Sequence, residues 1–206
     1  MRSYNQFCGV AKALDRVGDR WTLLLVRELI PGGRRYTDLL RACPGITTNL
    51  LAKRLRELGA NGLITRRTLP APAGSTVYEL TALGQQLEPV VLALGRFGAH
   101  FLDSPAEDEQ THPRWLGLSL TRRYSDPDST PFSVQLAFDG APLHLRWNGH
   151  QLRVRDGVYE SDATLGGPDL IAVLAGWSPV ESASITGDFA IAARFVGGLE
   201  PLQRQT

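Results

Sequence analysis

Eighteen residues, Gly45 to Gly62 (G-I-T-T-N-L-L-A-K-R-L-R-E-L-G-A-N-G), constrain this 206-residue chain more than any other stretch. Thr47 can accept a hydrogen bond from a free amide at a helix start, and Ile46 and Leu51 flank it at the spacing of a hydrophobic staple. A helix is therefore predicted from Thr48. Leu51, Leu55 and Leu58, four and three residues apart, give it one narrow apolar stripe. The opposite side carries Asn49, Lys53 and Arg56 with Ala52 between them, and Glu57 points elsewhere. Gly59 or Gly62 ends the helix. Taken alone, this is also the pattern of a surface helix with a solvated charged face.

The surroundings decide between these readings. From Gly33 to Thr68 eight basic residues stand against two acidic ones. Residues 1–103 hold 14 basic and 8 acidic side chains and residues 104–206 hold 8 and 13, so a formal net charge of +1 hides a basic half and an acidic half. A cationic excess confined to one helix and its neighbours is the footprint of a phosphate-binding surface. L-I-T-R-R-T-L, P-A-P-A-G-S and T-V-Y-E-L read as two strands around a turn. Ahead of them, Val10 to Val17 marks a short helix stopped by Gly18. Asp19 is placed to cap an apolar core helix, D-R-W-T-L-L-L-V-R-E-L-I. Thr37 is placed to cap a third helix whose Leu39, Leu40 and Cys43 face inward. Pro44 and Gly45 turn that helix into the basic one. Two short helices joined by a tight turn, followed by a hairpin, outline a winged helix-turn-helix.

Thr81 opens an element expected to run to about Leu102. Leu83, Leu87, Val90, Leu94, Phe97 and Phe101 repeat along it in steps of four and three, a heptad seam suited to a dimer, with a kink expected at Pro89. Ser104 to Pro113 reads as a linker. Beyond it, F-S-V-Q-L, L-H-L-R-W and Q-L-R-V-R with D-G and N-G turns predict antiparallel strands, after a W-L-G-L-S-L helix and before a D-A-T-L strand, short helices, an S-I-T-G strand and a closing helix. The fold class expected is α+β. It comprises a winged helix-turn-helix DNA-binding and dimerisation domain over 1–103 and a small α/β domain with an antiparallel sheet over 114–206.

C-G-V-A-K-A-L-D-R-V-G-D-R-W-T-L-L-L-V-R-E-L, R-R-Y-T-D-L, P-G-I-T-T-N-L-L-A-K-R-L-R-E-L, G-L-I-T-R-R and Y-E-L-T-A-L-G together closely resemble the HxlR family of bacterial winged-helix regulators, related to the MarR group. The resemblance covers roughly residues 7 to 100. It implies a homodimer joined through the first helix and residues 81–102, with one recognition helix per subunit in successive major grooves of palindromic double-stranded DNA. Carried over position by position, it puts Thr48, Asn49, Lys53 and Arg56 at base edges or adjacent phosphates and Arg66 or Arg67 beside the wing. Arg35, Thr37 and Thr47 complete the expected contacts. Asn suits adenine, Arg suits guanine, and Lys supplies a mobile cation for phosphate. The wing tip, Pro70 to Gly74, lacks the arginine that many relatives carry. Cys8 stands where relatives have an N-terminal cysteine that in some senses oxidants, giving a redox alternative. The other reading of Cys8 is a small hydrophobe at the dimer seam.

The element order of the second half, with its I-T-G-D turn, resembles more loosely a sterol-carrier-like domain. That resemblance implies a cavity for a hydrophobic small-molecule effector, with Trp115, Trp147, Trp177, Phe189 and Phe195 as candidate walls or as plain core. A lipid or hydrophobic-ligand carrier with an accessory N-terminal module is the competing function. Catalytic motifs are missing from the sequence, and the acid pairs Asp126 with Asp128 and Asp156 with Glu160 lie in turn-rich loops, so no enzyme is expected. Cys8 and Cys43 form no disulfide framework or metal spacing, and neither a cofactor nor a metal is expected. With no apolar run long enough to span a bilayer and no signal-peptide core, a cytoplasmic protein off the membrane is expected.

Overall fold

The stripe of Leu51, Leu55 and Leu58 packs against Leu25, Val26 and Leu29 of one helix, Leu39 of another, and Leu63, Ile64 and Tyr78 of a hairpin, all buried in one cluster. The computed structural model describes residues 3–70, 74–101 and 112–202. The chain divides into two compact units, Met1–Val91 and Leu92–Thr206.

In the first unit α1 (Gly9–Val17), α2 (Thr22–Leu29), α3 (Tyr36–Ala42) and α4 (Thr48–Ala60) precede a hairpin of β2 (Ile64–Thr68) and β3 (Thr76–Leu80). A two-residue strand β1 (Arg34–Arg35) adds to the other edge of β3, giving an antiparallel sheet in the order β1-β3-β2. This pairing changes a predicted cap. Arg34 and Arg35 are held extended against Tyr78 and Val77, so α3 starts at Tyr36 with Arg35 as its N-cap. Thr37 lies inside the first turn, and Asp38 Oδ2 instead accepts the Arg35 N–H at 3.3 Å. Asp19 is likewise no side-chain cap. Trp21 occupies the N-cap of α2 in the left-handed region at φ 79°, a conformation that an L-residue adopts at a cost. The Asp19 carboxylate goes to Arg54.

The long helix expected from Thr81 is broken. Thr81 caps α5 (Ala82–Gln85) by accepting the Gly84 N–H, and α6 begins afresh at Glu88 and runs to Gly98, followed by a 3-10 turn over Ala99–Phe101. Leu87, between the two helices, packs on the core. Pro89 falls in the first turn of α6, where its missing N–H leaves no bond unmade, so it starts a helix and kinks none. Thr81 also donates its Oγ1–H to Gly62 O at 2.6 Å and its N–H to Leu63 O at 3.0 Å, tying the entry of α5 to the exit of α4.

In the second unit α7 (Pro113–Arg123) precedes a meander of β4 (Phe132–Leu136), β5 (Leu143–Trp147) and β6 (Leu152–Asp156). Then come β7 (Ala163–Gly166), α8 (Leu170–Leu174), a 3-10 turn over Val180–Ser182, β8 (Ser184–Gly187) and α9 (Phe189–Gly197). The sheet order is β6-β5-β4-β7-β8. The antiparallel expectation holds for the meander and for β7 with β8, but β4 and β7 run parallel. β4 and β5 alternate: Phe132, Val134, Leu136, Leu143, Leu145 and Trp147 form an apolar face, while Ser133, Gln135, His144 and Arg146 project from the other. α7 lies so close to the sheet that a Cβ at Gly117 would meet Leu143 and Val154 side chains at 2.9 Å. Pro113, assigned to a linker above, is the first residue of α7, capped by His112. The rest of that stretch, 104–111, lies outside the described residues.

Candidate nucleic-acid interface

α4 is set by its own sequence at the start and by long-range bonds along its length. Thr47 Oγ1 accepts the Leu50 N–H at 3.3 Å, and the Tyr36 hydroxyl donates to Thr48 O at 2.7 Å, fastening the first turn of α4 to that of α3. Leu51, Leu55 and Leu58 are buried, whereas Thr47, Thr48, Asn49, Lys53 and Arg56 are exposed on the side away from the core. Gly62, at φ 70°, takes the left-handed conformation that closes the helix end.

The cations of this region divide into braces and free charges. Arg54 is a brace. Its side chain is 10% exposed, and Nη1 sits 2.6 Å from both Asp19 Oδ2 and Glu57 Oε2. Lys53 lies at 4.0 Å from Glu57 and stays 59% exposed, a pairing too loose and too wet to hold it. Arg67 on β2 is tied to Glu79 on β3 by two bonds, Nε to Oε2 at 2.9 Å and Nη2 to Oε1 at 2.5 Å. The hydrogen bond to Arg67 lowers the Glu79 pKa and raises that of Arg67, so much of this guanidinium's charge is spent within the wing. Arg66, one residue before it, stacks over the Tyr78 ring at 5.1 Å. Arg35, Arg56 and Arg66 have no ion pair among the described residues. Thr37 is exposed in the first turn of α3. Tyr36, Arg54 and Glu79 set the geometry, and none of them is among the contacts that the resemblance implies. Only the Arg54 and Glu57 spacing of three was visible in the sequence.

The remaining candidates lie elsewhere. Cys8 is exposed at the N-cap of α1. The N–H groups of Ala11 and then Val10 face it closely enough to bring its pKa below the ordinary thiol value, without a formed capping bond. Cys43 is buried, and desolvation followed by the charge of Glu28 pushes its pKa up to about 11. Trp147 and Phe195 are buried around Tyr124, with ring centroids 5.1 and 5.8 Å from it. Trp115 is half-buried on α7. Trp177 donates Nε1–H to Leu202 O at 3.2 Å, and it and Phe189, at the start of α9, are exposed. Among the described residues no group of three His, Cys, Asp or Glu side chains is placed to hold a metal ion, and no helix is long and apolar enough to cross a membrane.

Residues 16–106 match the family described as HxlR-like helix-turn-helix. An uncharacterised HTH-type transcriptional regulator of Synechocystis is 36% identical over 96 residues, covering 47% of this chain and 71% of that protein. An uncharacterised HTH-type transcriptional regulator of Mycobacterium bovis is 33% identical over 143 residues, covering 62% of this chain and 90% of that protein. Among solved structures, the redox regulator HypR in its oxidised form is 35% identical with a TM-score of 0.44, covering 47% of this chain and 99% of that one.

Proposed function

This chain belongs to the HxlR-like helix-turn-helix family of transcriptional regulators, and from that premise we propose that it reads a palindromic operator in double-stranded DNA as a homodimer. One observation carries the reading. The outer row of α4, Thr48, Asn49, Lys53 and Arg56, is solvent-exposed, while the helix's other arginine, Arg54, is turned inward as a brace. A helix whose inner cation is neutralised and whose outer cations are open presents its charge in one direction, as major-groove entry requires. Arg66 supports phosphate contact beside the wing, and Arg35, Thr37 and Thr47 flank the approach. Arg67 contributes less because Glu79 holds it.

Dimerisation is supported by exposed apolar side chains. Leu83, Val90, Leu94, Phe97 and Phe101 keep 49–71% of their surface in the single chain, and Phe7, Val10 and Leu14 are exposed as well. Val90, Leu94 and Phe97 share α6, with Leu83 on α5 and Phe101 in the 3-10 turn beyond it, and exposed apolar side chains in such number mark an interface. Genomic footprinting followed by a shift assay on the recovered site tests the reading. Binding whose logarithm falls with log salt, by about 0.9 per phosphate neutralised, is expected, and a chain that retains no duplex at low salt would overturn it.

The C-terminal unit is read as a sterol-carrier-like effector domain on its element order. Trp147 and Phe195, two of its expected walls, are buried against Tyr124. A second reading, thiol-responsive regulation, is favoured by the exposed, acidified Cys8 at the start of α1.

A further inference from the structure

The C-terminal sheet turns a polar face away from its apolar core, and that face has an unsatisfied chemistry of its own. Arg146 stands directly opposite Arg153, and His144 opposite Arg155, across β5 and β6. The like charges of Arg146 and Arg153 weaken the sheet unless something of opposite sign lies over them. Among the described residues Arg146 makes no ion pair. His144 is only 8% exposed, and its Nε2 is buried without a hydrogen-bond partner. Desolvation, then the charges of Arg155 and Arg146, lower its pKa, which leaves the ring neutral near pH 7.

A cavity of about 280 Å³ opens on this face, with Ser133, His144, Arg146, Glu160 and Asp162 in its lining. Asp162 is fixed there, because its Oδ2 accepts the Ser133 N–H at 2.6 Å and the Ser133 Oγ–H at 3.0 Å. Its other oxygen, and the carboxylate of Glu160, have no hydrogen bond among the described residues. The lining therefore combines one guanidinium, two carboxylates and a neutral imidazole. A simple anion would meet two like charges, and a simple amine would leave Arg146 uncompensated. The opening has room for a molecule the size of a free amino acid.

We propose that this cavity binds a small zwitterion, a molecule carrying a carboxylate and an ammonium group a few bonds apart. Arg146 takes the carboxylate through paired N–H donors, Glu160 and Asp162 take the ammonium, and His144 forms the wall between them. Pro131 and Phe132 complete the lining at the start of β4, while Trp147 packs against Tyr124 on the apolar face of the sheet. Binding is independent of the DNA-binding reading; only a change in DNA affinity on binding would depend on it.

The test uses the full-length chain. Each of the common L-amino acids is screened by thermal shift at millimolar concentration, beside acetate and inorganic phosphate as anions alone and methylamine as an amine alone. Calorimetry on any stabilising compound then compares the wild type with Arg146→Gln and Glu160→Gln, both at exposed positions. The expected result is that at least one amino acid binds, that neither half-molecule does, and that each variant weakens binding by about tenfold or more, the loss of one charge-assisted contact. The proposal is overturned if no amino acid binds, if an anion or the amine alone binds as tightly, or if affinity is unchanged in both variants.

Discussion

Arg54 Nη1 lies 2.6 Å from Asp19 Oδ2, joining the middle of α4 to the loop between α1 and α2. The guanidinium is nearly buried and Asp19 is about half-exposed, and this acid shares with Glu57 the pairing of an inward-facing charge. Asp19→Ala should cost about 1 kcal/mol, because Glu57 still holds Nη1. Arg54→Ala should cost about 3 kcal/mol, since it removes packing as well as both pairs. Urea unfolding of the two variants measures this. An unchanged midpoint for Asp19→Ala would mean that Glu57 alone suffices.

Charges on the outer row should behave differently from charges within the wing. Lys53→Ala and Arg56→Ala should each weaken operator binding by about 1–3 kcal/mol if the side chain reads a base, or lower the salt slope by about one if it holds a phosphate. Arg67→Ala should do less than either, because Glu79 already occupies its donors. Titrations of each variant at several salt concentrations separate these outcomes, and a loss at Arg67 equal to that at Arg56 would contradict the division into braces and free charges.

Leu94 and Phe97 are half or more exposed in the single chain. Leu94→Asp or Phe97→Asp should therefore leave the subunit folded while splitting the proposed dimer. Sedimentation velocity with circular dichroism checks both halves of this. A variant that retains the wild-type mass would place the dimer contact elsewhere.

The N–H groups of Ala11 and Val10 favour the Cys8 thiolate over the thiol. Its folded pKa is therefore lowered, and the reactive form is populated at a lower pH than for a free cysteine, whose midpoint is about 8.5. Iodoacetamide labelling read by mass spectrometry should give a rate that rises with pH and reaches half its plateau at a lower pH than a free cysteine peptide measured alongside. Cys43, with its pKa pushed up to about 11, should stay unlabelled in the folded chain. A Cys8 rate still climbing well above pH 9 would remove the redox reading.

What could be read from the sequence was what depends on near neighbours. The stripe on α4, its Thr47 cap, the hairpin and the meander all follow from spacings of two, three or four residues. The misplaced features each depended on a partner far along the chain. Asp19 looks like a cap until Arg54, 35 residues on, claims it. Thr37 looks like a cap until β3 pulls Arg34 and Arg35 into a strand. The run from Thr81 to Leu102 looks continuous because its heptads are regular, but α5 ends at Gln85 and α6 starts at Glu88, with Leu87 between them partly buried against the core. The zwitterion cavity was invisible for the same reason, as Ser133, His144 and Asp162 meet only after the sheet has assembled.

The bonds at Thr81 make the start of α5 and the end of α4 a single mechanical piece. In the proposed dimer, any signal that rotated one subunit's arm against the other would swing the groove-facing rods by a similar angle. The distance between two half-sites would change while every bond inside α4 stayed intact, so such a regulator could release DNA by changing its span without unfolding its reader.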